Sequence, residues 1–552
     1  MTGASLALLL LCGLWAPVDE PPPIAKLYGE QNWAEVVETW RGSSDPTAEL
    51  DYYAGMSLAR LGKPREAQQA LEAGQRKSPL DKRFPVELAG LAFERRDYSS
   101  ARSLLRRALR LDPQDRYATD FLASVYFLEH NLEAALVYWN RVGRPQIQEI
   151  LMEPKPALDA VLFDRAISVA PASILALRDL WASEASLDLL GIFPRYQFAL
   201  EPHGENEQFD LVFRSAERDG WGSTKTEGLI SLMRGAPYET IYPEFYNIGH
   251  SALSVTSMLR FDPNKLRLLV SAGRPIGRNP KRRFEIYLDG RKENWDFTRT
   301  FHGAGAAPTD LALDKLEGGA SIRSVVGDAW GWSSAVSLSD RRFAGFGGPD
   351  PFFTSGALLK YRAQADHPLL RMPERRLAVE SSASGEFGRL FAQGFGAYSK
   401  VAGTVDARWF PEALGDRYEV NAGVRSGRIF GAVPLDELFI LGLERDNDLP
   451  LGAHIGTQGG KKGSAPLGRT YLLVNSGVDR RIYANGFLKI KLGPFLDSGK
   501  ITDPSGIFGV DRWLWDTGAR LKLEILSSVT VAISYGKDLR SGGNSFYATT
   551  TR

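Results

Sequence analysis

The sequence predicts a multidomain α + β chain: an N-terminal α-solenoid over 24–150, a small β-α-α-β-β domain over 156–220, and a C-terminal transmembrane antiparallel β-barrel of about 16 strands over 222–552. Three observations predict it. Small residues recur at a fixed long period in the first 150 positions, the pattern near 156 changes to strand, two helices and two strands, and beyond 222 apolar and polar residues alternate with period two.

A chain of 552 residues is too long for one core. Its 67 basic and 66 acidic residues leave a net charge of +1, so no global field favours nucleic acid, which is not expected as a partner. The opening "MTGASLALLLLCGLWAPVDE" has an apolar run of signal-peptide length, too short to span a bilayer, followed by a proline-rich stretch. A signal peptide over 1–18, cut near Ala16, is expected. Cys12, the one cysteine, lies inside that run, so the exported chain would carry no disulfide, cysteine metal site or thiol nucleophile. No later stretch has about 18 consecutive apolar residues, and a membrane role would have to use strands.

In the solenoid, Ala67, Ala101 and Ala135 are 34 residues apart, as are Pro79 and Pro113. This is the tetratricopeptide period: two antiparallel helices per unit bury small residues where they cross, and proline follows the second helix. "ARLGKPREAQQALEAGQRKSP", "FERRDYSSARSLLRRALRLDP" and "FLEHNLEAALVYWNRVGRP" resemble successive repeats, with a shorter half-unit at "NWAEVVETW" before them. Such an array offers a concave surface to a peptide or partner protein. In the next domain "AVLFDRAI" reads as a strand, "PASILALRDLWASEASLDLLGIF" as helical, and "RYQFALEPHGENEQFDLVFRSA" as a hairpin turning at "HGENE". This order resembles a polypeptide-transport-associated (POTRA) domain.

In the barrel region Trp515, Thr517, Ala519, Leu521, Leu523 and Ile525 interleave with Asp516, Gly518, Arg520, Lys522 and Glu524. Leu488, Ile490, Leu492 and Leu496 likewise oppose Lys489, Lys491 and Asp497. Alternation alone does not separate a soluble sandwich from a membrane barrel. The region's size, the implied export, and aromatics near segment ends (Trp295, Phe297, Trp330, Trp332, Trp409, Phe410) favour the barrel.

One stretch breaks the strand pattern: "DLPLGAHIGTQGGKKGSAPLG", Asp448 to Gly468, with the acidic "LERDND" before it. Long loops inside compact domains tend to be functional. Together with "GPFLDSG", Gly493 to Gly499, it carries a resemblance to the bacterial surface antigen superfamily of outer-membrane assembly and translocation proteins, the BamA and TamA type. "GPFLDSG" looks like that family's G-x-F-x-D-x-G on a late barrel strand, with Phe495, Asp497 and Gly499 in its places. The loop looks like the sixth extracellular loop, with Leu451–His454 where the family has V-R-G-F or L-R-G-Y, followed by Lys461, Lys462 and P-L-G. The family's arginine falls on Gly452. The resemblance covers about 155 to 552 and implies a loop folded into the lumen, anchored on Asp497. With the arginine missing, Arg445 is the first expected substitute cation and Lys461 and Lys462 the reserve, because a buried carboxylate is costly without a partner.

No catalytic constellation is legible. His130, His203, His250, His302, His367 and His454 are scattered with no ligand spacing, "GTQGGKKGS" misses the phosphate-loop spacing, and Asp446 and Asp448 begin no calcium loop. Neither enzyme activity nor a cofactor or metal is expected. The resemblance implies an outer-membrane protein that assists insertion or translocation of polypeptides, its repeats and POTRA-like domain receiving clients or partner proteins in the periplasm while the barrel meets outer-membrane lipid. A polysaccharide-export porin, which also joins tetratricopeptide repeats to a barrel, and a passive loop-constricted channel are the alternatives.

Strand parity generates a first test. Ile490→Lys should impair membrane insertion by about 2–4 kcal/mol, whereas exchanging Lys491 for another charge should be tolerated. Equal folded fractions for both variants in a lipid-titration refolding assay would contradict a membrane barrel.

Overall fold

The computed structural model describes residues 23–204, 208–303, 306–345, 351–392, 396–413, 415–526 and 528–551. The expected signal peptide, with Cys12 and Ala16, and the last three residues of the "HGENE" turn lie outside the described residues. The chain divides into two compact units after Val125.

In the first unit, antiparallel helices follow one another from Pro23 onward. Ala67 and Ala101 are fully buried where helices cross. Gly55 and Gly74 mark two crossings, since an added Cβ would lie 2.5 Å from Leu71 and 2.4 Å from Phe84. Helices Pro64–Lys77 and Tyr98–Leu111 end two residues before Pro79 and Pro113, where proline cannot continue the helix. Asp97 caps the second by accepting from the Ser100 N–H at 3.1 Å. Asn131, 34 residues on, caps helix Leu132–Trp139 in the same way through the Ala134 N–H.

That last helix belongs to the second unit, so the solenoid expected over 24–150 is divided. Trp139 and Phe127 pack on Phe209, and the Asn131 amide donates to the Pro373 carbonyl at 3.0 Å. Phe209 lies in a four-stranded sheet of Gln146–Glu153, Ser173–Ile174, Arg195–Pro202 and Gln208–Ala216, whose two central strands are parallel. The strand expected at "AVLFDRAI" is instead helix Ala160–Ala166. Asp159 caps it and Leu162, Phe163 and Ala166 all face the core, a helical rather than a period-two spacing. The first strand comes earlier, from "QIQEILME".

From Thr240 to Thr551 the chain forms one antiparallel sheet ordered as a barrel. Its ladders run unbroken from Leu253–Asp262 to the last strand, Asn544–Thr551. The side-chain pattern is inside out. On strand Trp330–Ala344, Val336 and Leu338 are 50% and 56% exposed while Ser337, Ser339 and Arg341 are buried. That is the arrangement of a membrane barrel. On Leu488–Thr502, Leu492 and Leu496 face outward and Phe495, Asp497 and Gly499 inward. Trp330, Trp332 and Trp409 lie exposed near strand ends, but Trp295 and Phe297, expected with them, are buried inside. Counting the interrupted Thr240–Ile241 and Glu244–Ile248 as one, and leaving Thr457–Gln458 and Lys461–Lys462 to the loop, the described residues supply fifteen wall strands against the expected sixteen.

The two rims differ. One carries short turns at 249–252, 277–278, 327–329 and 373–376; the other carries the long connections 296–310 and 432–469, the asymmetry usual for outer-membrane barrels. The small sheet domain sits on the short-turn rim. The Asp159 N–H donates to the His250 carbonyl at 2.7 Å, the Arg283 guanidinium to the Leu190 carbonyl at 2.8 Å, and Arg371 lies 5.0 Å over the Trp181 ring. Beside this contact, burial, together with the neighbouring Glu133 and Asp188 carboxylates, pushes Glu184 up to about 7. A carboxyl raised in the folded state contributes stability that is complete below its ordinary pKa and is lost as pH rises through the folded value. Helix Leu177–Leu190 should therefore exchange its amide hydrogens faster at about pH 8 than, after correction for intrinsic rates, at about pH 5. In Glu184→Gln that difference should shrink, the Asp188 and Glu133 carboxyls, also raised by desolvation, accounting for the remainder, and a pH effect unchanged by the substitution would refute the assignment.

Candidate functional site

Residues 432–469 leave the wall after strand Tyr418–Gly431 and return at Thr470–Ala484. The loop folds into the lumen, where its Leu435, Leu438, Phe439, Leu441, Leu449, Leu451 and Leu467 join Trp295, Phe297, Leu311 and Leu313 in one apolar core. The "girdle" aromatics Trp295 and Phe297 are thus part of the loop's seat. Around this core two acidic clusters on the loop meet cations projecting from the wall.

The first cluster is Asp436 and Glu437, on the single helical turn Leu435–Glu437. Asp436 pairs with Arg341 and with the Lys315 ammonium at 3.1 Å. Glu437 takes Lys315 and Arg341 at 3.2 Å and Lys360 at 3.1 Å. Glu317 binds the same two lysines at 3.1 and 3.2 Å and accepts from the Tyr287 hydroxyl at 2.7 Å. Lys400 donates to the Glu437 carbonyl at 3.2 Å. The Arg341 side chain is wholly buried. Here four wall cations converge on one loop turn, three of them pairing with carboxylates that would be costly to bury alone.

The second cluster lies in "LERDND". Asp446 is bound by Arg260 and Arg267 at 2.9 and 2.8 Å and by Lys462 at 3.5 Å, while Lys462 also donates to Glu293 at 2.7 Å. Lys265 lies 3.8 Å from Glu444 and donates to the Thr457 hydroxyl at 2.9 Å. Loop residues of both signs therefore take part, and the loop's own Lys462 bridges its Asp446 to the wall.

The tip, Leu451–His454, reaches the late strands. The Gly452 N–H donates to Asp497 at 3.1 Å and the Ala453 N–H to Asp516 at 2.5 Å. The His454 ring lies 3.0 Å from the same Asp516 oxygen, and the Ser545 hydroxyl donates to the Gly452 carbonyl at 2.9 Å. Asn475 spans the site, donating to Asp497 and to the Pro450 carbonyl, each at 2.9 Å. A Cβ on Gly452 would lie 2.2 Å from the Phe495 ring, and one on Gly499 would lie 2.8 Å from Leu441. The inward residues of "GPFLDSG" thus form the floor on which the loop rests: Phe495 under the tip, Asp497 as acceptor, Gly499 leaving room for Leu441.

The expected substitute for the missing arginine is corrected by this geometry. Arg445 stacks on the Tyr238 ring at 3.7 Å, away from Asp497. Lys461 pairs with Asp310 at the surface, and Lys462 serves Glu293 and Asp446. Asp497 is satisfied by a backbone N–H and a side-chain amide, which hold a carboxylate without the reach that a guanidinium supplies. Sequence reasoning missed Asp436 and Glu437. The available signal was "PLDEL", two adjacent carboxylates flanked by leucines in a loop. Below the tip the lumen keeps a cavity of about 450 Å³ lined by Asp406, Arg425, Asp479, Asp497, Arg520 and Lys522.

Fold and site together define a wide barrel filled by one inward loop and preceded by helical repeats. The tetratricopeptide repeat model matches residues 52–116 and 86–144. The structure is similar to BamA from Haemophilus ducreyi lacking POTRA domains 1–3, at 10% identity over 74% of this chain and 84% of that one, TM-score 0.43. It is also similar to CdiB from Escherichia coli (12% identity, 74% and 77% covered, TM-score 0.49) and CdiB from Acinetobacter baumannii (10%, 73% of each, TM-score 0.43). No curated protein matches the chain.

Two adjacent lysines test the seat of the loop. Lys462→Met leaves Glu293 and Asp446 with a buried cation removed and should loosen the loop by about 3–5 kcal/mol, whereas Lys461→Met breaks an exposed pair and should cost less than about 1 kcal/mol. Limited proteolysis within 446–464 should separate them, and equal cleavage rates would show that the loop is held by its apolar contacts alone.

Proposed function

We propose that the chain is an outer-membrane protein that assists insertion or translocation of polypeptides, with the loop as a displaceable constriction of its lumen. The observation that carries the reading is how the loop is held. Beside the apolar core that its leucines form with the wall, it is secured by ion pairs and hydrogen bonds to groups that line a polar lumen, partners that can exchange for water when the whole loop moves out. The helical repeats support a client-receiving role, and so does the POTRA-like sheet domain, which lies on the short-turn rim, the periplasmic side in this reading. Strand Arg195–Pro202 is an edge strand of that sheet, and such an edge can accept an extended segment by strand addition.

Depleting the protein and comparing outer membranes by quantitative proteomics tests this. Specific barrel or surface proteins should be lost. An unchanged protein complement with loss of an exported glycan would point instead to polysaccharide export and overturn the proposal, and no change in either would leave only a passive channel.

A further inference from the structure

With fifteen wall strands among the described residues, the first runs in the same direction as the last, from the long-loop rim at Thr240 to the short-turn rim at Ile248. The chain arrives from strand Gln208–Ala216 on the short-turn rim. Residues 217–239 must therefore cross the barrel's height before the first strand begins. They do so beside that strand. Gly220 and Tyr246 exchange backbone hydrogen bonds of 3.0 and 2.7 Å, and the Tyr242 N–H donates to the Leu232 carbonyl at 3.0 Å. These groups lie on the edge opposite the second strand, to which the Pro243 carbonyl points through its bond with Ser257.

Within this segment, helix Lys225–Met233 is inside out. Its Glu227 and Ser231 are buried: Glu227 pairs with Arg218 at 3.0 Å, and the Ser231 hydroxyl donates at 2.8 Å to Glu244, itself held by Arg234 at 2.8 Å. Its apolar Leu229 and Met233 are exposed, at 62% and 46%. Just before the helix, exposed Trp221 packs on Phe245 with ring centroids 4.7 Å apart, and Phe245 shares the barrel's outer face with its register partner Val255. A helix in water would turn these faces the other way, and one inside the lumen would not present leucine and methionine beyond the wall.

We propose that Lys225–Met233 is a lipid-facing helix built into the barrel wall, where it covers the edge of the first strand from Tyr242 to Tyr246, beyond the Thr240–Ile241 end that the last strand adjoins. Its occupant is the acyl region of the bilayer, because its apolar face continues the outer surface of the strands. Nine residues rise about 13 Å, roughly half of a barrel's apolar band, so the helix lies within the wall without crossing the membrane by itself. The exposed edge that would otherwise invite pairing with another chain is covered in cis.

The inference rests on the membrane-barrel reading, and the test separates the two. In the full chain carrying Cys12→Ser, spin labels are placed singly at Leu229→Cys and Met233→Cys on the helix and at Leu338→Cys on the barrel's outer face, and the protein is reconstituted in phosphatidylcholine vesicles. Collisions with oxygen and with a water-soluble nickel chelate are read by electron paramagnetic resonance. The helix labels should show the same high oxygen-to-nickel ratio as Leu338→Cys. A lipid-like ratio at Leu338→Cys with nickel access at both helix positions would overturn the helix assignment alone. Nickel access at all three would overturn the membrane barrel and the inference together.

Discussion

The burial of two acidic turns inside a cationic lumen is the interaction on which the rest of this architecture depends. Asp436 and Glu437 on one side, and Glu444 and Asp446 on the other, are carried into the barrel by a loop of some forty residues. Each would be too costly to desolvate alone. Lys315, Arg341 and Lys360 for the first pair, and Arg260, Lys265 and Arg267 for the second, therefore have to be present at matching heights on several strands of the wall. This fixes register as well as charge. A one-residue slip in any contributing strand would send its cation to the lipid face and strand a carboxylate inside.

The loop's tip obeys a different rule. There the strands present carboxylates, Asp497 and Asp516, and the loop answers with backbone N–H groups of Gly452 and Ala453 and with His454. Backbone donors require close approach, and close approach excludes a side chain at Gly452, whose Cβ would strike the Phe495 ring. The glycine at 452 and the main-chain contact to Asp497 are thus one arrangement. An arginine could hold Asp497 from a distance, whereas glycine brings the main chain itself to the carboxylate.

The direction of the first wall strand imposes a third constraint. The chain arrives from the small sheet on the short-turn rim, whereas that strand starts on the long-loop rim, so one further crossing has to be made. Here the segment before the first strand makes it, with buried Glu227 and Ser231 turned toward the barrel and Leu229 turned away. The polarity of that helix is the same inside-out polarity as the strands, because both answer to the same two surroundings.

Much of this was legible in the sequence, and the limit follows from the range of the forces involved. The 34-residue spacing of Ala67 and Ala101, the alternation along Leu488–Thr502 and the anomalous loop are local patterns, and local geometry turns each directly into a helix pair, a two-faced strand or an inward excursion. The misreading of "AVLFDRAI" arose where a seven-residue helix is too short to declare its period. The burial of Trp295 and Phe297, the partners of Asp497, and the roles of Asp436 and Glu437 depend on groups more than one hundred residues apart in several cases, such as Lys315 and Glu437. Sequence by itself determined which residues of a strand share a face. Only the tertiary structure decided which inward charges meet, because that depends on strand stagger and on the path of the loop, and neither leaves a periodic trace along the chain.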